Sequence, residues 1–237
     1  MIKTRLSATG YVILSITVVG SNFFVPNFRG FDDSLFPVPQ PDALLVPAPY
    51  AFAIWAVIYL WLIVSAIWGF IKKSDDDEFH AMRVPMLVSL GVGTFWLPVA
   101  ATIPIAATVM ICVMLLGAIL AVYRSPQKYG KFAALPIGLY AGWLSAASCV
   151  SVGVVMTGYG ILSQTLAAYT FITLAAIIGF TVQYTLNRAP TYGVAVIWAL
   201  IALVVGTYGV NANVAYLAAA GAIAMLYPTF KASRSKA

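Results

Sequence analysis

From Tyr50 to Ile71 the sequence carries no charged residue. The run is rich in isoleucine, valine, leucine and tryptophan, and Lys72 and Lys73 close it. A helix needs about 20 consecutive apolar residues to cross the hydrocarbon core of a bilayer. A run of this length and composition is typical of a membrane-spanning helix, and it limits the chain to folds that a bilayer accepts.

Aromatic residues gather at the start of this run. Phe52, Trp55 and Tyr59 fall on one face of the predicted helix, whereas Trp61 and Trp68 fall on another. Lipid-facing aromatic residues usually lie near the two membrane interfaces. A stripe that runs inward from one end therefore indicates an aromatic-lined pocket near that end. Ordinary helix packing together with an interfacial belt is the alternative.

The same criterion finds apolar runs along the whole chain. The predicted spans cover about residues 7–24, 50–71, 84–100, 102–123, 132–155, 162–186, 191–210 and 214–227. The chain has 62% hydrophobic and 8% charged residues, against roughly 25% charged residues in soluble domains. We therefore expect an all-α fold, a polytopic membrane helix bundle of about eight transmembrane helices. The last span is short and alanine-rich and gives the weakest signal.

The first run follows a basic start, as a signal peptide does. It contains no clear small-x-small cleavage site, so we expect it to remain as the first transmembrane helix.

A proline-rich segment, residues 26–49, separates the first two spans. Its prolines prevent a continuous helix. The segment nevertheless keeps the apolar side chains Phe28, Phe31, Leu35, Phe36, Leu44 and Leu45. Connections longer than about 12–15 residues are usually either functional or disordered. We expect an ordered lid over the helix ends, with a disordered linker as the alternative.

Basic residues favour one end of the predicted helices. With eight spans and a cytoplasmic N-terminus, Arg29 is the single lysine or arginine that falls on the outer side. The inner side receives Lys3, Arg5, Lys72, Lys73, Arg83, Arg124, Lys128, Lys131, Arg188, Lys231, Arg234 and Lys236. The positive-inside rule then predicts that both termini are cytoplasmic and that the lid is on the outer side. The net charge of +6 reflects this orientation in the lipid bilayer rather than binding to nucleic acid.

None of the predicted spans contains Asp, Glu, Lys, Arg or His. Ion-coupled carriers place such groups at membrane depth, and acid–base catalysts need them in the site. The acidic run 75–78 is interpreted as a solvated turn, the single histidine His80 lies beside it, and Cys112 and Cys149 form no CxxC pair. We therefore expect no enzyme activity, no catalytic residue, no metal site and no required cofactor.

Several short motifs follow one another in a recognisable order. Residues 47–50 read Pro-Ala-Pro-Tyr and lead into 55–59, Trp-Ala-Val-Ile-Tyr. Residues 96–98 read Trp-Leu-Pro, and 140–143 read Tyr-Ala-Gly-Trp before a small-residue run to Ser151. Together they resemble the tryptophan-rich sensory protein or translocator protein family (TspO/MBR), which has five transmembrane helices and a long loop after the first.

The chain also departs from the common family pattern. Ala53 and Leu139 stand where the family has prolines, and Gly93 and Ser151 stand where it usually has asparagine. The run 52–59 fits Phe-x-Ile-Trp-x-x-Ile-Tyr, so the chain is more similar to a longer bacterial branch with extra C-terminal helices.

The resemblance predicts two parts of the chain. Residues 1–156 correspond to a TspO-like five-helix core with the outer loop 26–49. Residues 157–237 add three transmembrane helices and a basic cytoplasmic tail.

The resemblance also implies a pocket closed by the loop, with porphyrins or other tetrapyrroles as the bound ligand, or cholesterol as in some members. It places the protein in a bacterial inner membrane. The candidate ligand-binding residues are Tyr50, Phe52, Trp55, Tyr59, Trp96, Tyr140, Trp143, Ala147 and Ser151.

Two classes of function fit these features. The first is a regulatory, non-enzymatic membrane sensor or translocator for a hydrophobic ring compound such as a porphyrin, gripped by stacking and apolar burial. The alternative is a structural or accessory subunit of a larger membrane complex, photosynthetic or respiratory. Small-residue helix faces would serve such lateral contacts, or a homodimer. An uncoupled facilitator and a porphyrin-degrading enzyme rank below these two.

Overall fold

The computed structural model describes residues 2–21, 25, 28–40 and 43–235, and all regular structure within them is helical. The α-helices are α1 (Ile2–Gly20), α2 (Ile54–Lys73), α3 (Asp77–Ala100), α4 (Pro104–Arg124), α5 (Ala134–Gly158), α6 (Gln164–Leu186), α7 (Thr191–Thr207) and α8 (Ala212–Arg234). Short 3₁₀ helices cover Asp33–Leu35, Pro49–Ala53 and Gln127–Phe132.

Helix length and composition agree with a bundle that crosses a membrane. Seven of the helices in the described residues are long and apolar enough to span a bilayer, and α7 is a shorter apolar helix of 17 residues. The predicted all-α, polytopic bundle of about eight helices is therefore confirmed.

The prediction for the last two helices was wrong in length. Helix α8 continues through Pro228 to Arg234, whereas the sequence pattern ended it at Tyr227. Proline is tolerated inside a membrane helix because neighbouring helices satisfy the freed carbonyl group. The short helix is α7, which ends at Thr207 and is followed by a turn that reaches Val210.

The acidic run after α2 is not simply a solvated turn, as the sequence indicated. Asp76 is the N-cap of α3, and its carboxylate accepts hydrogen bonds from the backbone N–H groups of Glu78 and Phe79. Asp77 and Glu78 lie in the first helical turn, where negative charge is favoured by the helix dipole. Helix α3 therefore begins seven positions before the predicted start at Val84 (84 − 77 = 7).

Helix α1 begins at Ile2 and ends at Gly20, so it starts earlier than the predicted span. The end predicted near Phe24 lies outside the described residues. Arg5 pairs with Asp75 at 2.8 Å and ties the start of α1 to the turn between α2 and α3. This hydrogen bond also holds the pKa of the Asp75 carboxyl below its ordinary value.

Helix α5 lies at the centre of the bundle. It packs against α2, α4, α6 and α7. Gly142 allows the closest approach, because a Cβ at this position would overlap the backbone carbonyl of Tyr192 in α7. The hydroxyl groups of Ser145 and Tyr192 form a hydrogen bond of 2.7 Å across the same contact. The small residues of α5 thus place α7 directly against the core.

The described part of the loop between α1 and α2 packs over one end of the bundle. The Phe36 ring meets Tyr159 edge to face, with 6.0 Å between ring centroids. The Leu44 N–H donates to the side-chain oxygen of Gln164 at 3.0 Å, and the Ala48 N–H donates to the carbonyl oxygen of Ala202 at 3.0 Å. These contacts agree with the predicted lid and not with a free linker. Pro26, Asn27, Pro41 and Asp42 lie outside the described residues.

Candidate functional site

A cavity of about 90 Å³ lies between the loop and the ends of the helices. The loop provides its roof, α5 provides one wall, and the other walls come from the starts and ends of further helices. It is lined by Phe28, Arg29, Gly30, Phe31, Asp33, Gln40, Ala43, Val46, Pro47, Phe52, Trp96, Ile111, Trp143, Ala146, Ala147, Val150, Ser151, Val154, Ala199 and Leu203.

Aromatic rings make up two sides of the cavity. On one side the Phe52 ring meets Trp143 edge to face, with centroids 6.1 Å apart. On the other, Phe28 from the loop meets Trp96 edge to face at 5.3 Å. Edge-to-face geometry is a favoured arrangement of aromatic pairs. These two sides of the cavity therefore offer ring faces and edges to a molecule that enters it.

The two indole groups in the wall differ in their hydrogen bonding. Trp96 Nε1 donates to the carbonyl oxygen of Ala107 at 2.9 Å, which fixes that ring. Trp143 is only 4% exposed, and its Nε1 has no hydrogen-bond acceptor among the residues that the structure describes. Burial of a donor without an acceptor costs about 1–3 kcal/mol. Trp143 lines the cavity, so an acceptor on a bound molecule would satisfy this N–H.

Polar groups are few, and most of them bond to each other. The Ser151 hydroxyl lies 2.7 Å from that of Thr108 in α4. Gln40 Oε1 accepts a hydrogen bond from Gln164 Nε2 at 2.9 Å. Arg29 and Asp33 line the cavity and are also exposed, so they bring charge to its mouth.

The loop segment at the mouth has its own local structure. Asp32 caps the short helix Asp33–Leu35 by accepting a hydrogen bond from the Ser34 N–H at 2.9 Å. Hydrogen bonding to Ser34 lowers the pKa of the Asp32 carboxyl, so it is ionised at neutral pH.

The cavity brings together part of the predicted set of site residues. Phe52, Trp96, Trp143, Ala147 and Ser151 line it. The other four predicted residues, Tyr50, Trp55, Tyr59 and Tyr140, do not line it.

Trp55, Tyr59 and Tyr140 form an aromatic column behind Trp143. Trp55 stacks on Tyr59 at 5.1 Å and meets Trp143 edge to face at 6.1 Å. The Tyr140 hydroxyl lies 3.1 Å from the hydroxyl of Ser89 in α3. These side chains do not line the cavity; they support the ring that does.

Tyr50 points away from the cavity. Its ring is 42% exposed and meets Trp198 of α7 edge to face at 5.4 Å. The sequence placed Tyr50 on a continuous α-helix, but Pro49–Ala53 is a 3₁₀ helix with about 3.0 residues per turn. Residues two positions apart point in different directions on either kind of helix, so Tyr50 does not share the face that carries Phe52.

Sequence reasoning missed the contribution of α7. Ala199 and Leu203 line the cavity, and the Gly206 backbone lies against Val46 of the loop. Small apolar residues inside an apolar helix give no signal of a site. The roof residues Phe28 and Phe31 were predicted to belong to a lid but were not named as site residues.

Among the described residues of the lining, Arg29 and Asp33 have titratable side chains, and both are exposed. No cluster of three or more His, Cys, Asp or Glu side chains suited to a metal occurs among the described residues. What this arrangement can do is bury apolar and aromatic surface, donate one hydrogen bond from Trp143, and meet a charged group at its mouth.

Comparison with known proteins gives one match. The model of a family described as TSPO-like protein matches residues 11–230, which extends from α1 into α8. No curated protein and no solved structure matches the chain. The match crosses the boundary at residue 156 that the sequence predicted between a core and three added helices, and that division stays a prediction.

Proposed function

Because the chain belongs to the TSPO-like protein family, and is thus a multi-pass membrane protein of the sensor or translocator type, we propose that it binds a flat hydrophobic ring compound beneath its loop. A porphyrin-type tetrapyrrole is the proposed ligand. The observation that carries the proposal is the buried indole N–H of Trp143, which lacks an acceptor in the wall of an aromatic cavity.

The chemistry of the lining supports a ligand with three features. Phe52, Trp96 and Phe28 favour a planar aromatic body. Trp143 Nε1 favours a hydrogen-bond acceptor on that body. Arg29 at the mouth favours a carboxylate on the part that stays nearest to water. A porphyrin with carboxylate side chains combines all three.

The size of the cavity requires a change of conformation. Sites for drug-sized ligands usually have volumes of about 300–1,000 Å³, against about 90 Å³ here. A tetrapyrrole would therefore enter only when the roof, whose described residues are 28–40 and 43–47, moves outward. Hydrogen bonds anchor this part of the loop to α5, α6 and α7 through Val38, Gln40, Leu44 and Ala48. Opening of the roof would break these bonds.

The proposed role is binding and regulation rather than catalysis. The buried wall offers aromatic, aliphatic and hydroxyl groups, whereas general acid–base chemistry usually depends on a titratable group with a tuned pKa. We place the protein in a bacterial inner membrane with both termini in the cytoplasm, since its basic residues favour the end opposite the loop. The ligand would then enter from the outer side.

The test is a titration of the purified full chain with protoporphyrin IX. Binding is followed by the shift of the porphyrin absorbance band and by quenching of tryptophan fluorescence. Trp143→Phe keeps an aromatic ring but removes the donor, and we expect binding about fivefold weaker, the value of one hydrogen bond. Trp143→Ala should weaken it further.

Trp68→Phe is the matched control. Trp68 stacks on Phe132 at 4.4 Å, far along α2 from the cavity. The control should bind porphyrin as the wild type does. Absence of saturable binding in the wild type, or equal loss in both Trp→Phe variants, would contradict the proposal. Co-purification of partners in mild detergent would then test the accessory-subunit alternative.

A further inference from the structure

A second cavity, of about 540 Å³, lies at the opposite end of the bundle from the loop. Its walls come from the turn between α4 and α5, the turn between α6 and α7, and the last turn of α8. The volume falls within the range of about 300–1,000 Å³ that is usual for small-molecule sites. The cavity shares no lining residue with the site under the loop.

Three cations line this second cavity: Lys128, Lys131 and Arg188. Arg188 is fixed in place, because its guanidinium donates to the carbonyl oxygens of Ser125 at 2.9 Å and Val122 at 3.1 Å. These acceptors belong to the end of α4, where free carbonyl groups attract positive charge. The arginine is therefore held in position before any ligand arrives.

The two lysines have few interactions of their own. Lys128 Nζ lies 5.6 Å from the ring centroid of Tyr129. Lys131 Nζ has no hydrogen bond or ion pair to the part of the chain that the structure describes. Both ammonium groups remain available to an anion.

None of these three cations forms an ion pair with the described part of the chain. The two ion pairs found there, Arg5–Asp75 and Lys73–Asp76, both belong to the α1–α3 side of the protein. No aspartate or glutamate follows Glu78 in the sequence. An anion from outside the chain can therefore pair with the cations of the cavity.

The remaining lining is apolar on one side. Leu135, Leu186 and Pro190 lie beside the cations. A phospholipid at the membrane interface has an anionic headgroup next to apolar chains. This matches a cavity in which cations lie beside apolar residues at the end of a membrane helix. Basic pockets between membrane helices are known to receive such headgroups.

We propose that this cavity binds a phosphate-bearing anion. Lys128, Lys131 and Arg188 meet the phosphate, and the leucines lie along the apolar part when a lipid supplies it. The same phosphate chemistry can come from an anionic phospholipid headgroup or from a free phosphate, and the experiment separates the two sources. The site does not depend on the ligand proposed for the first cavity.

The experiment measures retention of phosphatidylglycerol by the full chain in detergent, by native mass spectrometry, with phosphatidylcholine as the reference lipid. Lys128→Gln combined with Lys131→Gln should weaken retention of phosphatidylglycerol by about 25-fold, or about fivefold for each lysine. Arg188 is left intact because it also holds the end of α4. Competition by inorganic phosphate is measured in parallel.

Lys72→Gln combined with Arg124→Gln is the matched control, since it removes two exposed cations of the same end that do not line the cavity. A lipid headgroup is supported if the control variant retains phosphatidylglycerol, the cavity variant loses it, and inorganic phosphate does not displace it from the wild type. Displacement by inorganic phosphate with the same dependence on the lysines supports a free phosphate. Equal loss in both double variants, equal retention of the two lipids, or no retention of either probe overturns the proposal.

Discussion

Trp198 of α7 donates its indole N–H to the carbonyl oxygen of Ala51 at 3.0 Å. Ala51 belongs to the 3₁₀ helix Pro49–Ala53, which links the loop to α2. The bond therefore joins a C-terminal helix to the segment that carries Phe52 into the wall of the cavity. Helix α7 is therefore a structural part of the site.

The first prediction concerns this bond. Trp198→Phe keeps an aromatic ring against Tyr50 but leaves the Ala51 carbonyl without its donor, at a cost of about 1 kcal/mol. We expect faster hydrogen exchange in residues 48–54, because the 3₁₀ helix loses its link to α7. Hydrogen–deuterium exchange with mass spectrometry measures this.

Trp61→Phe is the control for that substitution. Trp61 Nε1 donates to the Lys131 carbonyl oxygen at the same distance of 3.0 Å, from the middle of α2 and outside the 3₁₀ helix. Trp61→Phe should destabilise the protein by a similar amount and leave hydrogen exchange in residues 48–54 unchanged. The same change of exchange in both variants would show that the effect is global and would refute a local role for Trp198.

The second prediction concerns Gly206, where α7 meets the loop. A Cβ at this position would lie 2.8 Å from the Val46 carbonyl oxygen and 3.1 Å from the Ala48 nitrogen. Gly→Ala inside a helix normally stabilises it by about 1 kcal/mol. Here we expect Gly206→Ala to lower the melting temperature instead, since the loop backbone must move outward.

The same substitution tests whether the loop gates the cavity. If the roof must open for a ligand, Gly206→Ala should increase the association rate of protoporphyrin IX, which stopped-flow fluorescence measures. Gly209→Ala is the control, because a Cβ there meets no atom within 4 Å. Slower or unchanged association in Gly206→Ala would indicate that the loop does not limit access.

Hydropathy was sufficient to predict the helices but not their ends. An apolar run of bilayer length is stable in the membrane as a helix, because the backbone N–H and C=O groups of a helix bond to each other where water is absent. The ends depend on local capping and on neighbours. The Asp76 cap extends α3 backwards into a charged region, and packing carries α8 past Pro228. Neither effect is visible in average hydropathy.

The candidate site was predictable only where a motif marks it. Trp96 and Trp143 stand in recognisable sequence patterns, and both line the cavity. Ala199 and Leu203 of α7 stand in none, and their place follows from the close contact of α7 with Gly142 of α5. That contact joins positions far apart in the chain, so no local pattern reveals it.

The third prediction concerns Arg83, which the sequence placed just before the third predicted span, among the basic residues of the inner side. Its side chain is 1% exposed, and Nη2 donates to the carbonyl oxygens of Gly69 at 2.8 Å and Lys73 at 3.0 Å. These carbonyls belong to the last turns of α2. Arg83→Met removes both bonds and leaves the carbonyls buried, so we expect a loss of about 1–3 kcal/mol.

Thermal unfolding of the detergent-solubilised protein measures the effect of Arg83→Met. Arg124→Met is the control, because Arg124 is exposed in the last turn of α4 and should change stability by less than about 0.5 kcal/mol. Equal melting temperatures for the two variants would show that the bonds to α2 contribute nothing.

The last prediction concerns the N-cap of α3. Asp76 accepts hydrogen bonds from two backbone N–H groups and pairs with Lys73 at 3.1 Å. Partial burial alone would raise the pKa of this carboxyl. The hydrogen bond from the Phe79 N–H and the Lys73 ammonium outweigh it, so the pKa lies below the ordinary value of 3.8. Asp76→Ala should lower the melting temperature by about 2–4 °C, the value of one cap of about 1 kcal/mol.

The sign of the pH dependence follows from that lowered pKa. The stabilisation by Asp76 is fully present above 3.8, the pKa in the unfolded chain, and is lost as the pH falls through the lower folded value. The difference in melting temperature between the wild type and Asp76→Ala should be constant from about pH 5 to 8 and shrink below about pH 4. Asp76→Asn keeps a side-chain acceptor for the cap but cannot titrate, so its own stability should lack this acid-dependent loss. A wild-type advantage over Asp76→Ala that grows on acidification would mean that the carboxylate is not the stabilising species.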